Sequence, residues 1–185
     1  MNEAEDGHKH AYYTLSGDVN SDMVQRVFEA VAAMTREQID CAHILLQSNG
    51  GYVSDGLCLY NYLSNLPIEF HMYNGGAVAS IAVTVFLAGR HRFASETARF
   101  MVHKSHATAT HASRPETLRI IVEGLRADDA RTERILRRHL QLSDEHWAVH
   151  EHADLHLAAE EARQVQLIED VADFCPPKDM VLTNI

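Results

Sequence analysis

Short apolar runs separated by helix-length segments constrain this chain more than any other feature. Residues 12–16 (Tyr-Tyr-Thr-Leu-Ser) alternate as a strand and stop at Gly17-Asp18. Ser21 is expected to cap a helix through Met34, with Val24, Val27, Phe28, Val31 and Met34 on one face. His43-Ile-Leu-Leu-Gln47 reads as a buried strand ended by Ser48-Asn-Gly-Gly51, and Asp55 as the cap of a helix carrying Leu57, Tyr60 and Leu63. Residues 68–73 read as the next strand, Asn74-Gly75-Gly76 as a turn and 77–88 as a core helix. A strand or hairpin around 91–94 and a strand over 100–103 follow. Strands alternating with helices at this spacing predict an α/β fold with a parallel sheet.

The pattern changes after residue 105. Residues 106–113, rich in Thr, Ala and His, have no apolar period and read as a loop. Pro115 suits a first helical turn, and Leu118, Ile121, Val122, Leu125, Ile135, Leu136 and Leu140 stripe a long amphipathic helix to Gln141. A stripe longer than one small core needs suggests contact with a partner chain. Residues 158–171 form a last helix and strand. The expected layout is a disordered tail over 1–10, one domain over 11–174 and a tail over 175–185.

Composition narrows the function classes. The formal net charge of −10 argues against a nucleic-acid-binding surface. The longest uncharged apolar stretch, residues 77–89, falls short of the roughly 20 residues of a membrane span. The N-terminus is acidic and polar, unlike a signal peptide. Cys41, Cys58 and Cys175 are scattered without a zinc or disulfide spacing, so the expectation is a reducing, cytoplasmic setting with no metal and no cofactor.

One constellation carries chemistry. Ser80 opens an apolar helix, where a buried hydroxyl is costly without a partner. His103 closes a later strand, and Gly50-Gly51 ends an earlier one. Helix-start N–H groups lack intrahelical acceptors, and a glycine pair allows close backbone approach, so both can face an oxyanion. Serine, histidine and oxyanion donors in this order suggest a serine hydrolase.

These residues also sit in blocks that resemble a known family. Ser48-Asn-Gly-Gly-Tyr-Val-Ser-Asp-Gly56 is similar to the Ser-Pro-Gly-Gly segment of the Clp protease proteolytic subunit. Gly76-Ala-Val-Ala-Ser80-Ile with Leu87-Ala-Gly89 resembles its nucleophile helix, and Arg99-Phe-Met-Val-His103 its histidine strand. Leu15-Ser-Gly-Asp-Val19 resembles the opening strand, and Leu157-Ala-Ala-Glu-Glu-Ala162 a segment near the end. The resemblance spans roughly residues 12 to 171.

The resemblance implies a Clp/crotonase-like superhelix of β-α-β units with a protruding handle helix. The head would comprise 11–104 and 157–174, the handle about 105–156. It further implies a serine endopeptidase inside a homo-oligomeric ring, acting on peptide or unfolded-protein substrates. Ser80 would be the nucleophile, His103 the base, and the backbone N–H groups of Gly51 and Ile81 the oxyanion donors. Counting back from Leu157, the family's triad aspartate falls on His150. Asp154 matches a second acid of that segment and is the expected third member, with Glu151 adjoining the nominal position.

Lys104-Ser105 stand where the family has Gln-Pro, and Ile81-Ala82 where it has Met-Gly. About ten residues precede the first strand, so the family's axial hairpin and first helix are expected to be missing, and docking of an AAA+ unfoldase rests on the resemblance alone. The replaced acid keeps open a catalytically silent ring or scaffold subunit. The shared fold and glycine-rich oxyanion turn keep open a crotonase-like acyl-CoA enzyme.

Thirteen histidines leave further readings. His146, His150, His152 and His156 include two i, i+4 pairs that could present ligands on a helix face, solvated or capping roles being the alternative. His106 and His111 could confer sensitivity near pH 6.5. Trp147 is expected to pack the end of the long helix, and Tyr52 and Tyr73 to line a groove or the core.

Overall fold

Alternating burial along the central strands sets the layers. The computed structural model describes residues 7–108 and 114–185. On β2 (Cys41–Ser48), Ala42, Ile44 and Leu46 are almost fully buried and stand in register with Phe70, Met72 and Asn74 of β3 (Glu69–Ala79). On β1 (His10–Ser16), Tyr13 and Leu15 continue that face. Helices α1 (Ser21–Arg36), α2 (Val53–Leu63) and α3 (Ile81–Phe86) supply the rest of the core, including Met23, Val27, Val31, Leu59, Leu63 and Phe86. Each such apolar side chain taken out of water stabilises the fold by about 1.5–3 kcal/mol before entropic costs.

Among the described residues the strands form one eight-stranded sheet. β4 (His91–Ala94) and β5 (Arg99–Val102) share one edge of β3, β4 pairing with residues 71–74 and β5 with 77–79. Helix α4 (Pro115–His139) and helix α5 (Asp144–His152) precede β6 (Leu155–Ala158), which pairs antiparallel with β5. Helix α6 (Ala159–Gln164) leads to β7 (Asp170–Val171), beside β4, and β8 (Leu182–Asn184) returns to β1. The mixed α/β class expected from the alternation is the one observed. No helix among the described residues is long and apolar enough to cross a membrane.

Several local readings are corrected by tertiary pairing. Asn74-Gly75-Gly76 is not a turn: β3 runs through it, with Asn74 Nδ2 donating to Arg99 O at 2.9 Å and Asn74 Oδ1 accepting from Gly76 N. The following helix is correspondingly short. Of the strand or hairpin expected around 91–94, the strand forms, parallel to β3. Asn20, not Ser21, caps α1 by accepting from Met23 N at 3.0 Å, and Tyr52 rather than Asp55 precedes α2.

Parts of both segments expected as tails, among the described residues, are tied to the sheet and to α1. Lys9 and His10 are tied to β2, Lys9 O accepting from Asp40 N and Cys41 N. At the other end Ile185 is buried and its carbonyl accepts from Arg26. Within α4 only Ile135 and Leu136 are buried, while Leu118, Ile120 and Val122 are exposed. Arg137 stacks over Trp147 at 3.8 Å, so the tryptophan does pack the end of the long helix. Tyr73 packs against Phe93 and Phe174.

Candidate functional site

The fork in the sheet brings the serine and the histidine together. Ala79 pairs with Met101, and Ser80 N donates to Met101 O at 2.7 Å, so the residue after β3 lies beside the residue after β5. Ser80 has φ 57 and ψ −132, a positive-φ conformation rare for a side-chain-bearing residue. It is the N-cap of α3, yet its hydroxyl makes no capping bond. Ser80 Oγ lies instead 2.8 Å from Nε2 of His103, within general-base reach.

The glycine pair approaches from the other side. A Cβ on Gly50, which has φ 104, would stand 2.7 Å from Ser80 Cβ. A Cβ on Gly51 would stand 2.1 Å from Val19 O, whose own partner is Tyr52 N at 2.8 Å. Only glycine fits either place. Among the described residues, neither the Gly51 nor the Ile81 N–H donates to a backbone carbonyl. Both residues line the same cleft as Ser80 and His103, a space of about 600 Å³ closed on one side by Leu125, Thr132 and Leu136 of α4. Tyr52, at 72% exposure, stands at its rim.

The acidic partner is where sequence counting and geometry diverge. His103 Nδ1 lies 3.8 Å from Asp154 Oδ1, an ion-pair separation with a half-exposed carboxylate, longer than a hydrogen bond. No hydrogen bond joins His150, at the nominal acid position, to His103 among the described residues. The His150 ring is buried, its Nδ1 has no hydrogen-bond partner among the described residues, and it packs edge-on against Trp147. Burial, then the Lys104 charge, holds its pKa below the ordinary histidine value. Glu151 pairs with Lys104 at 3.0 Å.

The loop after His103 is stapled to α4. Lys104 Nζ reaches Glu133 at 2.9 Å as well as Glu151, and Ser105 N donates to Asp129 Oδ1 at 2.7 Å. Burial disfavours the Lys104 charge, but its bonds to Glu133 and Glu151 outweigh that and raise its pKa. Sequence reading marked Lys104 and Ser105 only as departures, and their charged partners lie more than twenty residues away. A second cleft, about 840 Å³, runs from Asn49 past Ser80 and His103 to Asp154.

The remaining candidates separate. His146 caps α5 in a reciprocal box with Ser143. His156 lies on β6, so His152 and His156 do not share a helix face. His106 lines both clefts beside His103, and His111 lies outside the described residues.

Residues 8–174 match the sequence model of the Clp protease family, and the chain belongs to that family. Its fold is similar to a solved structure of a ClpP1 variant from Listeria monocytogenes, with a TM-score of 0.73 and 18% identity. The likeness covers 90% of this chain and 91% of that one. No curated protein matches the chain.

Proposed function

We propose that this chain is a serine peptidase in which Ser80 attacks the scissile carbonyl and His103 is the base. The observation that carries this reading is the 2.8 Å approach of Ser80 Oγ to His103 Nε2, from a hydroxyl held at positive φ and free of any capping duty. His103 Nε2 takes the hydroxyl proton as Oγ bonds to the carbonyl carbon. The oxyanion lies against the N–H groups of Gly51 and Ile81. The same proton passes to the leaving amine, and water then hydrolyses the acyl-serine by the reverse relay. With Nε2 accepting, the ring proton sits on Nδ1, facing Asp154 at 3.8 Å. Asp154 therefore orients the ring, weakly.

Family membership supports peptide or unfolded-protein substrates and a homo-oligomeric ring. The exposed Leu118, Ile120 and Val122 support α4 as a handle that meets neighbouring subunits. A second reading, a ring subunit without turnover, is favoured by the 3.8 Å gap and by His150 at the acid position.

The two readings part on labelling by a fluorophosphonate probe and on hydrolysis of a short fluorogenic peptide. The peptidase reading expects both in the wild type and neither in Ser80→Ala. Absence of both in a folded wild type establishes the silent subunit instead.

A further inference from the structure

Four neighbouring parallel strands begin on metal-binding residue types: His10 on β1, Cys41 on β2, Glu69 on β3 and His91 on β4. The register aligns His10 with Cys41 and Cys41 with Glu69. One step along the same face it aligns His43 with His71, and His71 with His91. Alternate strand residues share a face. All six side chains therefore stand on the sheet face turned away from the core helices, at the end opposite Ser80.

The ligand atoms of Cys41, Glu69 and His71 all lie within 4.8 Å of one another. Glu69 Oε1 is 2.9 Å from His71 Nε2 and 3.4 Å from His91 Nε2. Zinc–ligand bonds of about 2.0–2.3 Å put tetrahedral ligand atoms roughly 3.3–3.7 Å apart. The His91–Glu69 spacing already falls there, and Cys41, Glu69 and His71 need side-chain adjustments of about 1 Å. His91 lies outside their 4.8 Å group, and its ring must turn further to join them. The outer shell is also present. His91 Nδ1 meets Glu169 Oε2 at 3.0 Å, the carboxylate–imidazole arrangement that fixes a ligating ring. An open cleft of about 840 Å³ reaches Cys41, Glu69 and His71.

We propose that the N-terminal edge of this sheet is a zinc site, with Cys41 Sγ, Glu69, His71 and His91 as ligands. Thiolate with imidazole selects a borderline-soft cation over magnesium or calcium. Binding releases the Cys41 thiol proton to solvent, so affinity falls as pH falls. The alternative, an ordinary Glu69–His71–His91 ion-pair cluster beside a core cysteine, binds no metal. The site is independent of the peptidase reading.

The test titrates chelator-stripped full-length protein with Zn²⁺ against a chromophoric competitor, and with Co²⁺ by absorption. The expected result is one tight zinc per chain and a thiolate-to-cobalt charge-transfer band. Cys41→Ser should remove that band. Cys41→Ser and His71→Ala should each weaken zinc on the order of 100-fold, and His146→Ala should bind as wild type does. Glu69→Gln, on a partly exposed side chain, is the further variant if Cys41→Ser fails to fold, as judged by circular dichroism in chelator. The proposal is overturned if the wild type takes up no zinc, if cobalt binds without a thiolate band, or if zinc affinity falls only in His146→Ala.

Discussion

The two ends of the parallel sheet are built from different materials. At the C-terminal ends the site is largely backbone: two glycines where no Cβ fits, a serine at positive φ and peptide N–H groups beside a cleft. At the N-terminal ends the chemistry is all side chain, on strands whose backbone is regular and in register. A backbone-built site cannot change without moving its neighbours, because a new Cβ would meet main-chain atoms. A side-chain-built site can lose a member and leave the strand beneath it intact.

The largest expected effect is at the C-terminal end. Ser80→Ala should lower hydrolysis of a fluorogenic peptide by about 10⁴-fold or more while the thermal midpoint stays close to wild type. Gly51→Ala should cost about 10²–10³-fold in kcat and about 1–3 kcal/mol of stability. Its Cβ would otherwise stand 2.1 Å from Val19 O. Wild-type rates in Gly51→Ala would break the contrast between the two ends, since that backbone would then be yielding.

Asp154→Asn should reduce kcat by about 10–100-fold, less than the roughly 10⁴ lost with a hydrogen-bonded triad acid. Its carboxylate is half-exposed at 3.8 Å. An unchanged pH–rate profile would remove it as the residue orienting His103. Cys41→Ser should leave peptide hydrolysis at the wild-type rate, and a loss there would mean that the two ends are coupled.

The smallest effect belongs to His139, beside the N-terminal cleft, where its Nε2 meets the Tyr60 hydroxyl at 2.8 Å. Burial, with Arg92 and Arg138 adding, lowers its pKa to about 4. Its neutral ring belongs to the folded state. Its share of stability is therefore present above the unfolded value near 6.5 and is lost as pH falls from there towards 4. Discounted for a partly exposed ring, the loss is about 1 kcal/mol. Urea midpoints at neutral and acid pH should differ less by that amount in His139→Gln, and equal differences would assign the acid sensitivity elsewhere.

Legibility in the sequence follows the range of the interactions. The alternation of strand and helix is local, so residues 12–16, 43–47, 68–73 and 100–103 could be read as strands before any contact was known. Asn74-Gly75-Gly76 could not be read as strand, because its extended form depends on β2, β5 and the Asn74 side chain. Ser80, His103, Gly51 and Ile81 were legible as candidates because motif spacing and a helix start are linear properties. The partner of His103 was not. Counting assigns position 150, and only the tertiary structure buries His150 against Trp147 and sets Asp154 3.8 Å from Nδ1.

The succession of strands and helices, the candidate serine and histidine and the glycine pair were thus legible in the sequence itself, since each rests on neighbours along the chain. The meeting of Ser80 with His103 at 2.8 Å, and of Cys41 with Glu69 and His71, was decided only by the tertiary structure. Strand register alone brings residues so far apart in the chain within a few ångströms, and no spacing in one strand encodes which residue its neighbour will set beside it.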